Sequence, residues 1–293
     1  MQALFPGLFF TGRAQIEKAL AIPRKTTDNT GMEYRIYVLP NLTKEKYAAP
    51  VRAVIDTLEK RGFICLLSEE DALRLYGPDT GRSRTAEALA GQADLVLSVG
   101  GDGTFLRAGQ TAIALKKPLC GCNAGRLGYL CALSRDELAA FRPEALVFAE
   151  EPVLRCTLGG LSHYALSDVV IGKDYFGGTI VPAWKLRGEE ERHCIGDGLI
   201  VSTPLGSTGY TASAGGPLLK TGCGRFALTP ICPHTGHKEP CVFEDTEKVT
   251  VRSLDPTYSA SLYADGRLIG ALGEAVIEKA PFTLPVAIRA KQK

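Results

Sequence analysis

The apolar run Leu95–Val99 enters Gly100-Gly101-Asp102-Gly103 without a break and leaves it into a helical pattern ending near Leu115. The run is too short for a helix and suits a buried strand. Phe105, Ala108, Ala112 and Ile113 then fall on one helical face from Thr104 onward. A strand passing so directly into a helix is half of a parallel-sheet unit, and a parallel sheet must be covered on both faces. The same alternation surrounds it. Tyr34–Leu39 reads as a first strand, Tyr47–Arg61 as a helix with Val51, Val54, Ile55 and Leu58 inward, and Phe63–Leu67 and Leu119–Cys122 as further strands.

After about residue 145 the texture changes. Short β-branched and aromatic runs follow one another at Val153–Leu158, His163–Leu166, Val169–Ile171, Thr179–Val181, Leu199–Val201, Val249–Ser253 and Leu262–Tyr263. Gly159-Gly160, Gly177-Gly178 and Asp265-Gly266 supply turns between them. The expected organisation is a Rossmann-like α/β domain over residues 32–140 and an antiparallel, β-sandwich-like domain over 141–275. Residues 1–31 carry a breaker-rich stretch from Pro23 to Gly31 and are expected to be a peripheral leader, with a short helix at Ala14–Ala21 as a compatible reading.

The chain has 293 residues, 45% hydrophobic and 23% charged, an ordinary globular balance with room for two cores. A formal charge of +2 gives no field that calls for nucleic acid or a membrane surface, and no apolar run approaches bilayer length. Nine cysteines, an odd number in apolar surroundings, suit thiols in a reducing compartment, and the expected location is the cytoplasm.

Three constellations carry chemistry. In Gly100–Thr104, glycines let backbone N–H groups approach a phosphate chain, and the helix start favours negative charge. Asp102 is out of place in an anion cradle unless it accepts a proton or meets a metal ion; taken alone, a helix-capping Asp in a tight turn is the plainer reading. Asn123–Leu130 (NAGRLGYL) follows the next strand, where open α/β sheets bind ligands. Asp197–Pro217 (DGLIVSTPLGSTGYTASAGGP) is dense in Gly, Ser and Thr, too polar for a sandwich core and suited to a polyhydroxylated, phosphorylated ligand. Tyr210 offers it a ring face.

Together with Leu228–Thr235 (LTPICPHT), these motifs resemble the NAD kinases over nearly everything from Met32 to the end. GGDG alone would also resemble lipid kinases and phosphofructokinases. The resemblance implies an α/β domain, a β-sandwich-like domain, and a final segment, 276–293, returning to the first. It implies transfer of the γ-phosphoryl group of ATP, with Mg²⁺, to the 2′-hydroxyl of the adenosine ribose of NAD, giving NADP. Asp102 is then the general base, with Gly100, Gly101, Gly103, Thr104 and Asn123 about the ligands. Ser167 and Asp168 stand where the family has an Asn-acid pair at the adenosine. Asp197 falls near the nicotinamide side or a neighbouring subunit's adenosine. Thr208, Gly209, Tyr210, Thr211, Ala212 and Ser213 fall in the stretch that holds the dinucleotide. Asp265-Gly266 is a turn by its dipeptide, the family has a similar aspartate there close to the site, and Arg267 beside it is a candidate contact to the dinucleotide. A homodimer or homotetramer is implied too.

Ser167 replaces an amide with a shorter group, Leu205 replaces a Thr, Gly209 an Ala, and Ile195 stands where a basic residue is usual. These departures alter dinucleotide recognition and leave Asp102 untouched. They also keep open a catalytically silent nucleotide-binding sensor. Cys232, His234, His237 and Cys241 fit no standard zinc spacing, so no resident metal site is expected.

Overall fold

The structure is a computed structural model that describes residues 34–78, 91–124, 129–174, 177–255 and 257–289. The leader expected over 1–31 lies outside the described residues. The chain divides into two units by its internal contacts: one ends at Glu150 and takes the chain back from Leu284, and the other is Glu151–Thr283.

In the first unit, β1 (Arg35–Pro40), β2 (Ile64–Leu66), β3 (Leu95–Gly100) and β4 (Leu119–Asn123) form a parallel sheet in the order β2-β1-β3-β4. A short strand, β5 (Leu133–Ser134), extends β4 in parallel. Helix α1 (Ala48–Lys60) buries Val51, Val54, Ile55 and Leu58, as the period predicts, against Ile36, Val38, Leu95, Leu97 and Val99. It stops at Gly62, whose φ of 85° a side chain would resist.

Helix α2 (Glu69–Tyr76) was not expected from the period. Its signal is local: Ser68 Oγ accepts the Asp71 N–H at 3.0 Å and donates to its carboxylate at 2.7 Å. Helix α3 spans Asp102–Leu115 and so starts two residues before the expected Thr104. Gly101 is the N-cap, and Asp102 occupies the first helical position. The reading of Asp102 as a capping residue is therefore corrected.

The second unit is built of two antiparallel sheets. The first has the order β14 (Cys241–Glu244), β12 (Arg225–Ile231), β11 (Gly198–Ser202), β8 (Asp168–Lys173), β16 (Ala260–Ala264), β17 (Arg267–Ala271). The other contains β13 (Thr235–Gly236), β10 (Arg192–Ile195), β9 (Pro182–Leu186), β15 (Lys248–Ser253) and the first part of β18 (Ala275–Ile288). The hairpin of β6 (Val147–Leu158) and β7 (Leu161–Ala165) joins β18.

Alternating residues of both sheets meet in one core: Val169, Ile171, Leu199, Val201, Phe226 and Leu228 from the first, Trp184, Val249, Val251 and Ile277 from the second. The end of β18 belongs to the first unit, where Val286 pairs in parallel with Leu119 of β4. The fold class is thus the expected α/β plus antiparallel β.

The expected strand at Thr179–Val181 is not one. Only Ile180 forms a bridge, to Gly196, because glycines precede it and Pro182 begins β9 immediately after. Pro230 sits inside β12, tolerated because β14 pairs with β12 only as far as Leu228.

Candidate functional site

The carboxyl ends of β1, β3 and β4 lie side by side, with Pro40 opposite Val99 and Gly100 opposite Asn123. Asn41 donates its N–H to Val99 O at 2.9 Å and caps the next turn by accepting from Thr43 N at 3.1 Å. Asn41, Gly100–Asp102 and Asn123 are therefore neighbours at the end of the sheet where ligands bind in α/β folds. Asn41 carries no motif in the sequence, and only the sheet order brings it here.

The glycines of this turn serve different ends. A Cβ on Gly100 would stand 2.8 Å from Thr104 Cβ and 3.0 Å from Asn41 Cβ, so packing demands glycine there. Thr104 is buried by that contact, its side chain turned inward. A Cβ on Gly101 or Gly103 would meet nothing within 4 Å, and neither has a positive φ. Nothing in the fold requires glycine at those two positions; they leave the backbone at the start of α3 open to an incoming group.

Asp102 is half-buried, and both of its oxygens are engaged. Oδ2 accepts the N–H of Tyr129 and Oδ1 that of Leu130, each at 3.1 Å. The last two residues of the Asn123–Leu130 motif thus hold the carboxylate; residues 125–128, Arg126 among them, lie outside the described residues. Each carboxylate oxygen has a second acceptor direction left over. Arg107, a candidate phosphate partner by charge, donates to Pro40 O at 2.8 Å and ties α3 to β1.

In the second unit, β8 begins at Asp168 between the end of β11 and the end of β16, with Ser202 opposite Asp168 and Ala264 opposite Val169. Ser167 and Asp168 are both buried, and Ser167 Oγ donates to Asp168 Oδ2 at 2.8 Å. Burial first, and then the nearby Asp265 carboxylate, push the Asp168 acid up from 3.8 to about 6, against the lowering effect of the Ser167 hydrogen bond.

Thr203 clamps the same segment from β11. Its N–H donates to Ser167 O at 2.9 Å, its Oγ1 donates to Leu166 O at 2.7 Å, and its Oγ1 accepts from Gly206 N at 3.2 Å. Gly206 must be glycine, since a Cβ would fall 2.6 Å from the Ser167 carbonyl carbon.

The Gly/Ser/Thr-rich segment then forms a 3₁₀ turn, Gly206–Thr208, and a short helix, α4 (Tyr210–Ser213). Gly209, Tyr210 and Ser213 are exposed, with Tyr210 and Ser213 one helical turn apart. Thr208 and Ala212 are half-buried, and Thr208 Oγ1 donates to Leu205 O at 3.3 Å. Thr211 faces inward and is fully buried, with its Cγ2 2.6 Å from where a Cβ on Gly216 would be. Its side chain packs the segment down, whereas Tyr210 and Ser213 present theirs to solvent.

Asp197 precedes β11 at the opposite end of β8 from Asp168, where Gly198 pairs with Gly172. Its carboxylate meets Lys173 Nζ at 2.7 Å, and Lys173 also donates to Gly178 O at 3.1 Å. The sequence alone did not point to Lys173, yet it supplies a cation beside Asp197 in a chain that has Ile195 two residues before that acid. Five residue steps of strand separate the two ends, about 17 Å. Tyr210 relates to both: burial raises its phenol, and the charges of Cys232, Asp197 and Asp168 raise it further. Arg267 is exposed at the start of β17, opposite Ala264 and next to the Asp265 turn.

Among the described residues no group of three or more His, Cys, Asp or Glu side chains is arranged to hold a metal ion. In the Cys232–Cys241 stretch, the His237 ring lies edge-on to Trp184 at 5.6 Å.

Comparison with known proteins places the chain. The family description "ATP-NAD kinase N-terminal domain" fits residues 26–146, and "ATP-NAD kinase C-terminal domain" fits residues 183–271. The NAD kinase of Azoarcus sp. strain BH72 is 35% identical over 230 residues, covering 75% of this chain and 78% of that protein. That of Aromatoleum aromaticum is 36% identical over 236 residues, covering 76% and 78%. An NAD kinase from Archaeoglobus fulgidus, solved in complex with ATP, superposes with a TM-score of 0.64 at 26% identity, covering 88% of this chain and 94% of that one. Yeast NADH kinase complexed with NADH shares the fold, with a TM-score of 0.73 at 15% identity over 90% and 85% of the chains. The chain belongs to the ATP-NAD kinase family.

Proposed function

We infer that the chain is an NAD kinase, transferring the γ-phosphoryl group of ATP to the 2′-hydroxyl of the adenosine ribose of NAD, with Asp102 as the general base. The observation that carries the residue assignment is the setting of Asp102. It is the one acid of a glycine turn at a sheet's carboxyl end, held by two backbone N–H groups that leave a lone pair on each oxygen. A ribose hydroxyl is far too weak an acid to ionise at neutral pH. Its proton passes to Asp102 as the oxygen bonds to the γ-phosphorus, the bond from that phosphorus to the bridging oxygen breaks, and ADP leaves.

Phosphoryl transfer asks otherwise for positioning and for donors on the phosphate oxygens. Gly101 and Gly103 expose the backbone for that, at a helix N-terminus that favours negative charge. ATP would come as its complex with a divalent ion, for which we take Mg²⁺; that ion would neutralise charge on the phosphates, while Asp102 keeps its part as proton acceptor.

In the second unit, Ser167 and Asp168 receive the adenosine side of NAD. The exposed face of α4, with Gly209, Tyr210 and Ser213, holds the dinucleotide together with Thr208, Ala212 and Arg267; Thr211 supports that face from within. Asp197, fixed by Lys173, lies toward the far end.

No described helix is long and apolar enough to cross a membrane, and all nine cysteines are thiols. Both accord with a cytoplasmic setting. We carry forward a homodimer or homotetramer on the family resemblance.

The test incubates the protein with NAD, ATP and Mg²⁺ and reads NADP with an NADP-specific dehydrogenase. NADP must accumulate in step with ADP. A folded protein that binds NAD and forms no NADP would leave the sensor reading in its place.

A further inference from the structure

The turn between β16 and β17 places a carboxylate where a turn alone does not need one. Asp265 and Gly266 both have left-handed backbones, with φ of 48° and 76°, the geometry of a two-residue hairpin turn. Asparagine serves that position as well as aspartate does. Here the Asp265 side chain reaches across to the start of β8. Its Oδ2 accepts the N–H of Leu166 at 2.8 Å, and its Oδ1 accepts those of Ser167 at 2.7 Å and Asp168 at 3.3 Å. Its own N–H donates to Asp168 O at 3.0 Å.

Three consecutive amides thus converge on one carboxylate, while Thr203 holds the carbonyls of Leu166 and Ser167 from the other side. The backbone of 166–168 has little freedom left. Ser167 Oγ and the Asp168 carboxylate project from that fixed segment and lock to each other.

We propose that Asp265 is a positioning residue for the dinucleotide, holding the Ser167–Asp168 edge in its binding geometry through the three amides. The proposal rests on the reading of Ser167 and Asp168 as NAD contacts. An amide in place of the carboxylate keeps the turn but offers one acceptor oxygen, and its NH₂ faces an N–H donor.

The test compares Asp265→Asn and Asp168→Asn with the parent protein, in KM for NAD, KM for ATP, kcat, and the pH profile of kcat/KM for NAD. Asp265→Asn should raise KM for NAD about tenfold, with kcat and KM for ATP within about twofold. The groups that act on Asp168 are Ser167, by its hydrogen bond, and the Asp265 charge, while the Asp168 charge in turn reaches the Tyr210 phenol; removing the Asp265 charge should therefore move the acid limb of the profile to lower pH. The limb reports the Asp265 charge beside Asp168; the rise in KM for NAD with kcat and KM for ATP kept is what a merely structural turn residue would not give. Asp265→Glu, which keeps the charge but displaces it, should raise KM and leave the limb in place; it serves also if Asp265→Asn does not fold. An unchanged KM for NAD in Asp265→Asn beside a raised one in Asp168→Asn overturns the proposal alone. An unchanged KM for NAD in Asp168→Asn overturns the reading beneath it.

Discussion

Leu130 gives its backbone N–H to Oδ1 of Asp102 at 3.1 Å, across 28 residues of sequence, and so ties the loop after β4 to the glycine turn after β3. Tyr129 does the same for Oδ2. A carboxylate gripped on both oxygens by main chain keeps one orientation, which a proton acceptor in a phosphoryl transfer requires.

Gly103 and Gly206 separate the demands of function from those of packing. Gly103→Ala adds a methyl to open space in the first turn of α3, so its stability should equal or exceed the parent's by up to about 1 kcal/mol, while KM for ATP rises. Gly206→Ala drives a methyl into the Ser167 peptide and should cost about 3 kcal/mol. Urea unfolding and initial-rate kinetics on the two variants check this; equal stability losses would contradict it.

Asp168 makes stability depend on pH in a definite direction. Its carboxyl titrates near 6 when folded and near its ordinary 3.8 when unfolded. Between those values the folded chain holds more protons, so the contribution of this group to stability falls as pH rises through that window. Asp168→Asn should therefore gain on the order of 3 kcal/mol at pH 7 and almost nothing at about pH 3. Chemical denaturation at the two pH values measures it, and an equal effect at both would refute the assignment.

Thr203 is fully buried, and its hydroxyl both donates to Leu166 O and accepts from Gly206 N. Thr203→Ala leaves both groups unpaired and should cost about 2 kcal/mol. Thr203→Ser keeps both bonds and loses one methyl, about 0.8 kcal/mol. If the two variants prove equally stable, the hydroxyl is not what holds the segment.

The first unit was largely legible because its strands and helices obey simple periods: α1 presents Val51, Val54, Ile55 and Leu58 to the core as the 3.6-residue spacing requires. Helix α2 escaped because its start is marked by a Ser68–Asp71 cap rather than by an apolar stripe. The long strand β18 was hidden by Pro281 and Pro285, which interrupt its β-forming pattern between the stretch paired with β15, ending at Glu278, and the pairing of Val286 with β4.

The candidate site shows the same division. Gly100–Thr104 and Thr208–Ser213 announce themselves by composition. The Asp265 contact to Ser167 spans 98 residues and that of Thr203 to Leu166 spans 37, so only the sheet order of β11, β8 and β16 brings them together. Thr211 shows the limit from the other side, a motif residue whose side chain is turned into the protein.

The most direct measurement is NADP formation by Asp102→Asn under saturating NAD and ATP, beside NAD binding and thermal unfolding of the same variant. The account predicts a fall in kcat of about a hundredfold or more, with NAD affinity within about threefold of the parent and a cooperative unfolding transition retained. A folded Asp102→Asn protein that turns over NAD at near the parental rate would contradict it, and the proton would have to go elsewhere.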